Sequence, residues 1–189
     1  LHGDKMSAID INEKYSVIVF QCFTHEQVKE INKRIKKNIF KEQIPEAAAE
    51  NVSKVGQFYH VQCAPLMELV HPWLYESQRL NNNFFGFDIW WNFHLDGFNY
   101  NVYEEGGEYG WHMDSDPNVP FDMKLTCLLN LSEEPYEGGE FCTINQEGEI
   151  KFDSGMGLII NSLVAHKVTP VTKGERITLT YWAKGLAWK

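Results

Sequence analysis

The chain has 189 residues, of which 43% are hydrophobic and 14% are aromatic. This composition is typical of one globular domain with a sizeable core and excludes a disordered chain. The formal net charge of −9 disfavours a protein that binds by neutralising phosphates, so we expect no nucleic-acid partner. No window reaches the ~18 to 20 apolar residues of a membrane span, and no leader pattern is seen. We therefore expect a cytoplasmic protein without a membrane partner.

The four cysteines lie far apart, at positions 22, 63, 127 and 142, and none belongs to a Cys-x-x-Cys pair. Two of them fall inside apolar runs of strand length. This spacing predicts reduced cysteines that pack in the core rather than a disulfide framework or a thiolate metal site.

The first elements in chain order are a strand and a helix. Residues from Tyr15 to Phe23 form a β-branched and aromatic run of strand length. Thr24 and Gln27 have the spacing of a capping box, which marks the start of a helix. Apolar residues then recur every three or four positions, which predicts a core-facing helix surface made of Val28, Ile31, Ile35 and Ile39.

The next segment, from Lys41 to Gln62, shows no clear periodicity, and we interpret it as a mobile connection or a lid. A second helix is predicted from Ala64 to Asn82, because Pro65 suits a first helical turn and Pro72 is compatible with a kinked helix. Its apolar stripe consists of Leu66, Leu69, Val70, Trp73 and Leu74.

After residue 84 the sequence changes to short strand-like runs separated by Gly, Asp, Asn and Pro. Strands are predicted at Phe87 to Phe93, Phe98 to Tyr103, Tyr109 to Met113, Lys124 to Leu131, Glu140 to Ile144, Ile150 to Phe152, Gly157 to Ile160, His166 to Val168 and Ile177 to Trp182. Strands at such close spacing without intervening helices indicate a double-sheet jelly roll.

The predicted fold class is therefore mainly β (α+β), a double-stranded β-helix with two N-terminal helices packed on one sheet. The sequence shows no repeat and no linker, so we predict one domain over residues 1–189. Within it, residues 1–83 are expected to give helical support and a lid segment, and residues 84–189 the jelly-roll core.

A cluster of metal-ligand types is predicted from three residues. His112 and Asp114 are one residue apart in a predicted strand, so their side chains point to the same face. His166 begins another short strand. Two imidazoles and one carboxylate make a facial triad with open coordination positions, a set that favours Fe(II). Arg176 follows His166 by ten positions and has a planar fork suited to a carboxylate.

Taken together, these residues resemble the Fe(II)- and 2-oxoglutarate-dependent dioxygenases, in particular the prolyl-4-hydroxylase-like group with its bacterial and phage relatives. The resemblance rests on the stretches YEEGGEYGWHMDSD, EGGEF and GMGLIINSLVAHKVTPVTKGERITLTYW. It covers most of the chain from Tyr103 to Trp182. For a chain of phage origin, the expected location is the host cytoplasm.

The resemblance implies a role for each residue of the triad and its surroundings. His112, Asp114 and His166 are implied to be the catalytic iron ligands, and Arg176 the partner of the distal carboxylate of 2-oxoglutarate. Fe(II), 2-oxoglutarate and O2 are the implied cofactors, with ascorbate as an optional addition.

Three further residues are implied to lie around the cosubstrate. Tyr103 is similar to the family tyrosine beside 2-oxoglutarate, and Thr180 is expected to support the same carboxylate. Some prolyl hydroxylases have a second tyrosine on the strand after the metal loop. This chain lacks it, and Asn130 is the candidate replacement.

The implied activity is hydroxylation of a C–H bond, in a peptidyl and prolyl-like substrate, with release of succinate and CO2. A peptide or protein substrate is thus the implied partner. The loop Ser115 to Phe121 and the lid are expected to contact it, with aromatic contacts from Tyr109, Trp111 and one of Trp90 and Trp91. Two alternatives stay open: a non-catalytic jelly-roll module that binds a metal or metabolite, and a zinc hydrolase. A binding module has no need of open iron positions, and a zinc hydrolase lacks a distinct general base within the motif and has no role for Arg176.

Overall fold

The structure is a computed structural model that describes residues 10–12, 17–38, 52–93, 96–115, 121–145 and 148–187. In this part of the chain the α-helices are α1 (His25–Asn38) and α2 (Met67–Leu80), and α2 is preceded by a 3-10 helix, Ala64–Leu66, and followed by a π-helix, Asn81–Phe85. The strands are β1 (Asp10–Asn12), β2 (Val17–Gln21), β3 (Lys54–Val55), β4 (Gln57–Gln62), β5 (Gly97–Tyr103), β6 (Glu108–His112), β7 (Phe121–Asn130), β8 (Glu137–Gly138), β9 (Phe141–Thr143), β10 (Met156–Asn161), β11 (His166–Val168), β12 (Val171–Lys173) and β13 (Arg176–Leu186).

The strands form one large and two small antiparallel sheets. The large sheet has seven strands in the order β1-β2-β10-β7-β13-β5-β4, and the four-stranded sheet has the order β3-β6-β11-β9. A short pair, β12 with β8, makes the third sheet. The predicted mainly β class with antiparallel sheets is confirmed.

The large sheet is buried on both faces. On β10, Ile159 belongs to the core that includes residues of both helices, whereas Leu158 and Ile160 belong to a second core shared with the small sheet. Successive residues of a strand point to opposite faces, so a strand covered on both sides is apolar without alternation. The run Gly157 to Ile160 has this character.

Both helices contribute apolar side chains to the first core. Residues Val28, Ile31 and Ile35 of α1 and Trp73 of α2 are at most 1% exposed. At the start of α1, the backbone N–H of Thr24 donates to the side chain of Gln27 at 2.9 Å, and the N–H of Gln27 donates to the hydroxyl of Thr24 at 3.4 Å. The predicted capping box is therefore present. Pro72 lies inside α2.

The segment predicted as a mobile connection or lid lies only partly within the described residues, which exclude 41–51. Residues 57–62 form β4, which pairs with β5 at one edge of the large sheet. Phe58 packs with Tyr103 on one face of this strand and Val61 enters the helix-side core on the other. Each face thus buries one apolar residue, while His60 and Gln62 are exposed. The strand therefore lacks the alternation by which it could be recognised, and a lid is the wrong description of it.

Two other strand predictions are wrong. Residues 87–93 form no strand, and only Trp90 makes a single bridge, to Lys184. Residues 150–152 likewise contribute one bridge, between Ile150 and Phe141. In both cases the aromatic and β-branched composition reflects packing. Trp91 stacks on Tyr181 with ring centroids 5.4 Å apart, and Ile150 and Phe152 belong to the second core.

Two predictions from composition can also be compared with the structure. All four cysteines are free, as predicted, and Cys63 and Cys127 are fully buried. Burial raises the pKa of both thiols to about 12. None of the helices within the described ranges has the length and apolar character needed to cross a membrane.

Candidate active site

The predicted triad comes together between the two main sheets. His112 at the end of β6 and His166 at the start of β11 are directly paired in the small sheet, and Asp114 follows β6. One ligand atom from each of the three residues lies within 4.8 Å of the others. The distances from Asp114 carboxylate oxygens are 3.7 Å to Nε2 of His112 and 3.6 Å to Nε2 of His166.

Hydrogen bonds to backbone carbonyls two residues earlier in the chain orient the two imidazole rings. Nδ1 of His112 donates to the carbonyl of Gly110 at 2.8 Å, and Nδ1 of His166 donates to the carbonyl of Val164 at 2.9 Å. Since a carbonyl only accepts, Nδ1 of each ring carries a proton, so in the neutral ring the nitrogen that faces Asp114, Nε2, is the unprotonated one. Both histidines thus present the lone pair that a metal ion requires.

Burial and the neighbouring His166 lower the pKa of His112 to about 4, and the attraction of Asp114 offsets them only in part. The ring is therefore neutral at physiological pH. A neutral imidazole is the form that binds a metal, so the environment favours ligation over protonation.

The carboxylate is held by the opposite sheet. Thr126 of β7 donates its hydroxyl to Oδ2 of Asp114 at 2.6 Å and lies 3.0 Å from the hydroxyl of Ser162. The backbone carbonyl of Ser162 also accepts from the N–H of Asp114 at 3.1 Å. Neither Thr126 nor Ser162 was predicted from the sequence. The period of two along β7, counted back from Leu128, would have placed Thr126 on the cavity face.

A cavity of about 380 Å³ opens beside the triad. Its lining includes the triad, Arg176, Tyr103, Thr180 and Trp182, together with residues not singled out from the sequence: Lys54, Phe58, Asn99, Asn101, Met113, Met123, Thr126, Leu128, Phe141, Val168 and Thr178. The structure thus brings six of the seven predicted site residues to one cavity.

Asn130 is the exception among the predicted site residues. It is not among the residues that line the cavity. Its amide donates to the carbonyl of Phe152 at 2.5 Å and to the hydroxyl of Tyr136 at 3.1 Å, and its oxygen accepts from the N–H of Ser132 at 2.9 Å. Because its amide group and its oxygen already form these hydrogen bonds, Asn130 stabilises the chain that follows β7. The structure gives no support to a contact between Asn130 and 2-oxoglutarate.

Arg176 is a buried cation at the floor of the cavity, only 2% exposed. Its guanidinium lies over the ring of Tyr103, with 5.4 Å between Cζ and the ring centroid. Its Nε has no hydrogen-bond partner, and no carboxylate within the described ranges pairs with it. A buried cation without a counter-charge is costly, so this arrangement fits an anionic ligand.

Two neighbours of Arg176 are polar and buried. Tyr103 is 3% exposed, and burial raises the pKa of its phenol, which therefore stays protonated and able to donate. The hydroxyl of Thr180 accepts from Asn101 at 2.9 Å. Together with Arg176, Tyr103 and Thr180 form a polar floor suited to a carboxylate.

The aromatic candidates for substrate contact divide into two groups. Tyr109 lines the cavity and stacks on His112, with ring centroids 3.6 Å apart. Trp111, Trp90 and Trp91 are not among the lining residues. Trp111 is 46% exposed, and the ammonium of Lys167 lies 5.1 Å from the centroid of its ring. Of the loop Ser115 to Phe121, residues 116–120 lie outside the described ranges.

The residues present fit an iron ion and 2-oxoglutarate. The donor set of two imidazole nitrogens and a carboxylate, all with ligand atoms within 4.8 Å, is that of a facial triad. The unpaired Nε of Arg176 in the same cavity marks a site for the distal carboxylate of a keto acid.

Comparisons with known proteins point in the same direction. Residues 98–184 match the family model described as the 2OG-Fe(II) oxygenase superfamily. A PKHD-type hydroxylase of Alteromonas mediterranea is 40% identical over 97 residues, covering 46% of this chain and 42% of that protein. A PKHD-type hydroxylase of a Janthinobacterium species is 36% identical over 96 residues, with the same coverage. The chain thus spans less than half the length of these curated relatives.

Solved structures show the same fold at low identity. The viral collagen prolyl hydroxylase vCPH of Paramecium Bursaria Chlorella virus-1, in complex with 2OG, superimposes with a TM-score of 0.70 at 15% identity, covering 93% of this chain and 99% of that one. A Pseudomonas putida prolyl-4-hydroxylase gives a TM-score of 0.64 at 18% identity, covering 89% and 92%.

A prolyl hydroxylase of Trichoplax adhaerens, in complex with a hypoxia inducible factor peptide fragment, gives a TM-score of 0.66 at 15% identity, covering 89% of this chain and 83% of that one. Residues 98–184 therefore match the model of the 2OG-Fe(II) oxygenase superfamily, and the chain is similar in sequence to PKHD-type hydroxylases and in fold to prolyl hydroxylases, which confirms the resemblance found in the sequence.

Proposed function

We propose that the protein is an Fe(II)- and 2-oxoglutarate-dependent hydroxylase that oxidises a C–H bond of a peptidyl, prolyl-like substrate. The observation that carries the proposal is the presence, in one cavity, of the His112, Asp114 and His166 cluster and of a buried Arg176 without a carboxylate partner. We also propose that residues 1–189 act as a single domain.

Each part of the cavity has a separate task. His112, Asp114 and His166 hold the iron, and Arg176 pairs with the distal carboxylate of 2-oxoglutarate, which fixes the keto acid in one orientation. Tyr103 and Thr180 support that carboxylate with hydroxyl groups. When bound, Fe(II) with 2-oxoglutarate and O2 supplies the oxidising chemistry, and the products are succinate and CO2.

The walls of the cavity limit access of water to the reacting groups. Phe58, Leu128, Phe141 and Val168 line it with apolar surface, and the triad side chains are at most 10% exposed. A site of this kind protects reactive species from hydrolysis and strengthens the electrostatic contacts of Arg176.

A peptidyl substrate is supported by the relatives rather than by a contact within the cavity. Of the solved structures with this fold, one is a viral collagen prolyl hydroxylase and another is a prolyl hydroxylase in complex with a peptide fragment. The cavity is also lined by Tyr109 and Trp182, whose flat faces suit a proline ring. A peptide or protein is therefore the proposed partner.

The experiment has two steps. Fe(II) and 2-oxoglutarate are first added without O2, and we expect a visible metal-to-ligand charge-transfer band, which neither a zinc hydrolase nor a module lacking the keto-acid site produces. Proline-containing peptides are then added with O2, and we expect succinate together with a peptide that has gained one oxygen by mass spectrometry.

Asp114→Ala is the matched control for both steps. It removes the sole carboxylate of the triad, and we expect no band and no succinate while the circular dichroism spectrum stays that of the wild type. Succinate at a near wild-type rate in this variant would contradict the proposed site. An absorption band without any oxidised peptide would support the assignment as an oxygenase and exclude the peptidyl substrate.

A further inference from the structure

A second, smaller cavity adjoins the candidate active site. Its volume is about 230 Å³, and it is lined by His60, Asp96, Gly97, Asn99, Met123, Tyr181, Trp182 and Lys184. Three of these residues, Asn99, Met123 and Trp182, also line the cavity of the triad. They form a threshold between the two spaces, so a ligand that fills the first cavity can extend into the second.

Two hydrogen-bonding groups at the threshold have no partner among the residues that the structure describes. The indole Nε1 of Trp182 is a buried donor that no acceptor within the described ranges engages. The side-chain amide of Asn99 likewise forms no hydrogen bond with the described part of the chain, although it lies between His60 of β4 and Thr180 of β13 in the sheet register. A buried donor left unpaired is unfavourable, which indicates that a ligand satisfies it.

The threshold lies next to the triad. Trp182 pairs with Thr126 in the register of β13 and β7, and Thr126 is the residue whose hydroxyl bonds Asp114. A ligand group that is hydrogen-bonded to Trp182 therefore lies close to the substrate C–H bond that is oxidised in the proposed function. In an extended peptide, the group next to the oxidised residue is the main-chain amide that links this residue to its neighbour.

The inner part of the second cavity is polar, but its charged side chains already pair with each other. Asp96 and Lys184 form an ion pair of 2.7 Å, and the hydroxyl of Tyr181 donates to Asp96 at 3.1 Å. His60 lies over Gly97, where a β-carbon would come within 1.9 Å of its ring. A charged ligand group would have to lose its hydration against charges that are already paired, whereas a neutral polar group can bond without that cost.

We propose that this second cavity is the subsite for the residue that flanks the oxidised one in a peptide. Trp182 and Asn99 bond the main-chain amide between the two residues, because an indole N–H donates and a carboxamide both donates and accepts. The cavity prefers a neutral hydrogen-bonding side chain such as Gln, Asn, Ser or Thr. This inference rests on the proposed function, which it extends by naming the neighbouring side chain.

The test measures peptide binding without turnover. Fluorescein-labelled pentapeptides with a central proline are titrated anaerobically against the protein loaded with Fe(II) and 2-oxoglutarate, and anisotropy gives the Kd. The flanking positions carry Gln, Leu, Glu or Lys in turn. We expect Gln on one side to bind about three- to tenfold more tightly than the other three, the gain of one or two hydrogen bonds.

Variants separate the two parts of the subsite. In Gly97→Ala the new β-carbon displaces the ring of His60, and we expect the preference for Gln to fall below about twofold. A scan that replaces each secondary amide of the peptide by an ester should weaken binding about three- to tenfold at one linkage in the wild type and not in Asn99→Leu. Trp182→Phe removes the indole donor and should weaken binding of the pentapeptides about threefold or more, whereas Trp111→Phe, outside both cavities, is the matched control and should leave it unchanged.

Each outcome decides the proposal. A preference for Gln that Gly97→Ala abolishes, with one sensitive linkage that depends on Asn99, supports it. Equal Kd values for all flanking residues, or an ester effect that survives in Asn99→Leu, overturn it. Absence of peptide binding overturns it too, while the anaerobic absorption band reports independently on whether the oxygenase site stands.

Discussion

Thr126 donates its hydroxyl to Oδ2 of Asp114 across the space between the two main sheets, at 2.6 Å. The triad carboxylate follows β6 of the small sheet, whereas its hydrogen-bond donor lies on β7 of the large one. The metal site is therefore held by both sheets at once, and its geometry depends on how they pack. Thr126 is 1% exposed, so no water replaces its hydroxyl.

Thr126→Val should weaken metal binding about tenfold or more, because outer hydrogen bonds of this kind tune metal affinity by 10- to 100-fold. Valine has nearly the volume of threonine, so the core is preserved. Titration with Mn(II) in a calorimeter measures the Kd. Ser162→Ala, which leaves the Thr126 to Asp114 bond intact, should have a smaller effect, and an equal Kd for Thr126→Val and wild type would refute this role.

Arg176→Ala should weaken the binding of 2-oxoglutarate and leave metal binding unchanged. A buried carboxylate that loses its ion-pair partner costs on the order of 2 to 5 kcal/mol, which corresponds to roughly 30-fold to several thousand-fold in affinity. Titration of 2-oxoglutarate against the metal-loaded variant gives the Kd. Arg176→Lys keeps the charge without the planar fork and should be intermediate. An unchanged Kd in Arg176→Ala would assign this residue to structure alone.

Arg176→Met should raise the thermal stability of the ligand-free protein. Arg176 is 2% exposed and its Nε has no hydrogen-bond partner among the described residues. Folding therefore leaves a desolvated charge that is offset only in part by the aromatic rings of Tyr103 and Phe152. An apolar side chain of similar length avoids that cost. Calorimetry without ligand should show a higher Tm for the variant, and excess 2-oxoglutarate should stabilise only the wild type. A lower Tm for the variant in both conditions would contradict the expectation.

The metal-free protein should lose stability as the pH falls below about 6.5, the ordinary pKa of histidine. Since the folded pKa of His112 is about 4, the unfolded state binds more protons between these two values. The contribution of His112 to the free energy of unfolding is therefore constant above about pH 6.5 and declines as the pH falls towards 4.

Urea unfolding with a chelator present, at pH 7, 5.5 and 4.5, measures this loss. Carboxylates also titrate in the window, so the quantity of interest is the difference between wild type and His112→Gln. We expect the variant to depend less steeply on pH. Parallel curves for the two proteins would show that His112 does not titrate as stated.

The chemistry of the site was more predictable from the sequence than the path of the chain. His112 and Asp114 share a face by the period of two, which a strand imposes regardless of its surroundings. Arg176 was recognisable by its distance from His166. These relations are local, or depend on one strand, so the sequence carries them directly.

The missed features depend on contacts between distant strands. β4 buries one apolar residue on each face, Phe58 and Val61, and so shows no alternation. The strand-like aromatics at 87–93 pack around Tyr181 instead of entering a sheet. Asn130 shares its strand with Thr126, but its amide is taken up by Phe152 and Tyr136. No spacing in the sequence distinguishes these two residues, since only the packing of the sheets determines which of them reaches Asp114.

The strand order also determines which edges of the large sheet would be exposed in a shorter chain. β2 covers β10 on one side and β4 covers β5 on the other, so strands from the first 62 residues close a sheet whose inner strands come from residues 97–186. Without them, two rows of unpaired backbone groups become templates for intermolecular strand pairing. The stretch matched by the family model, 98–184, is thus expected to self-associate when expressed alone, and the N-terminal strands act as its built-in protection against aggregation.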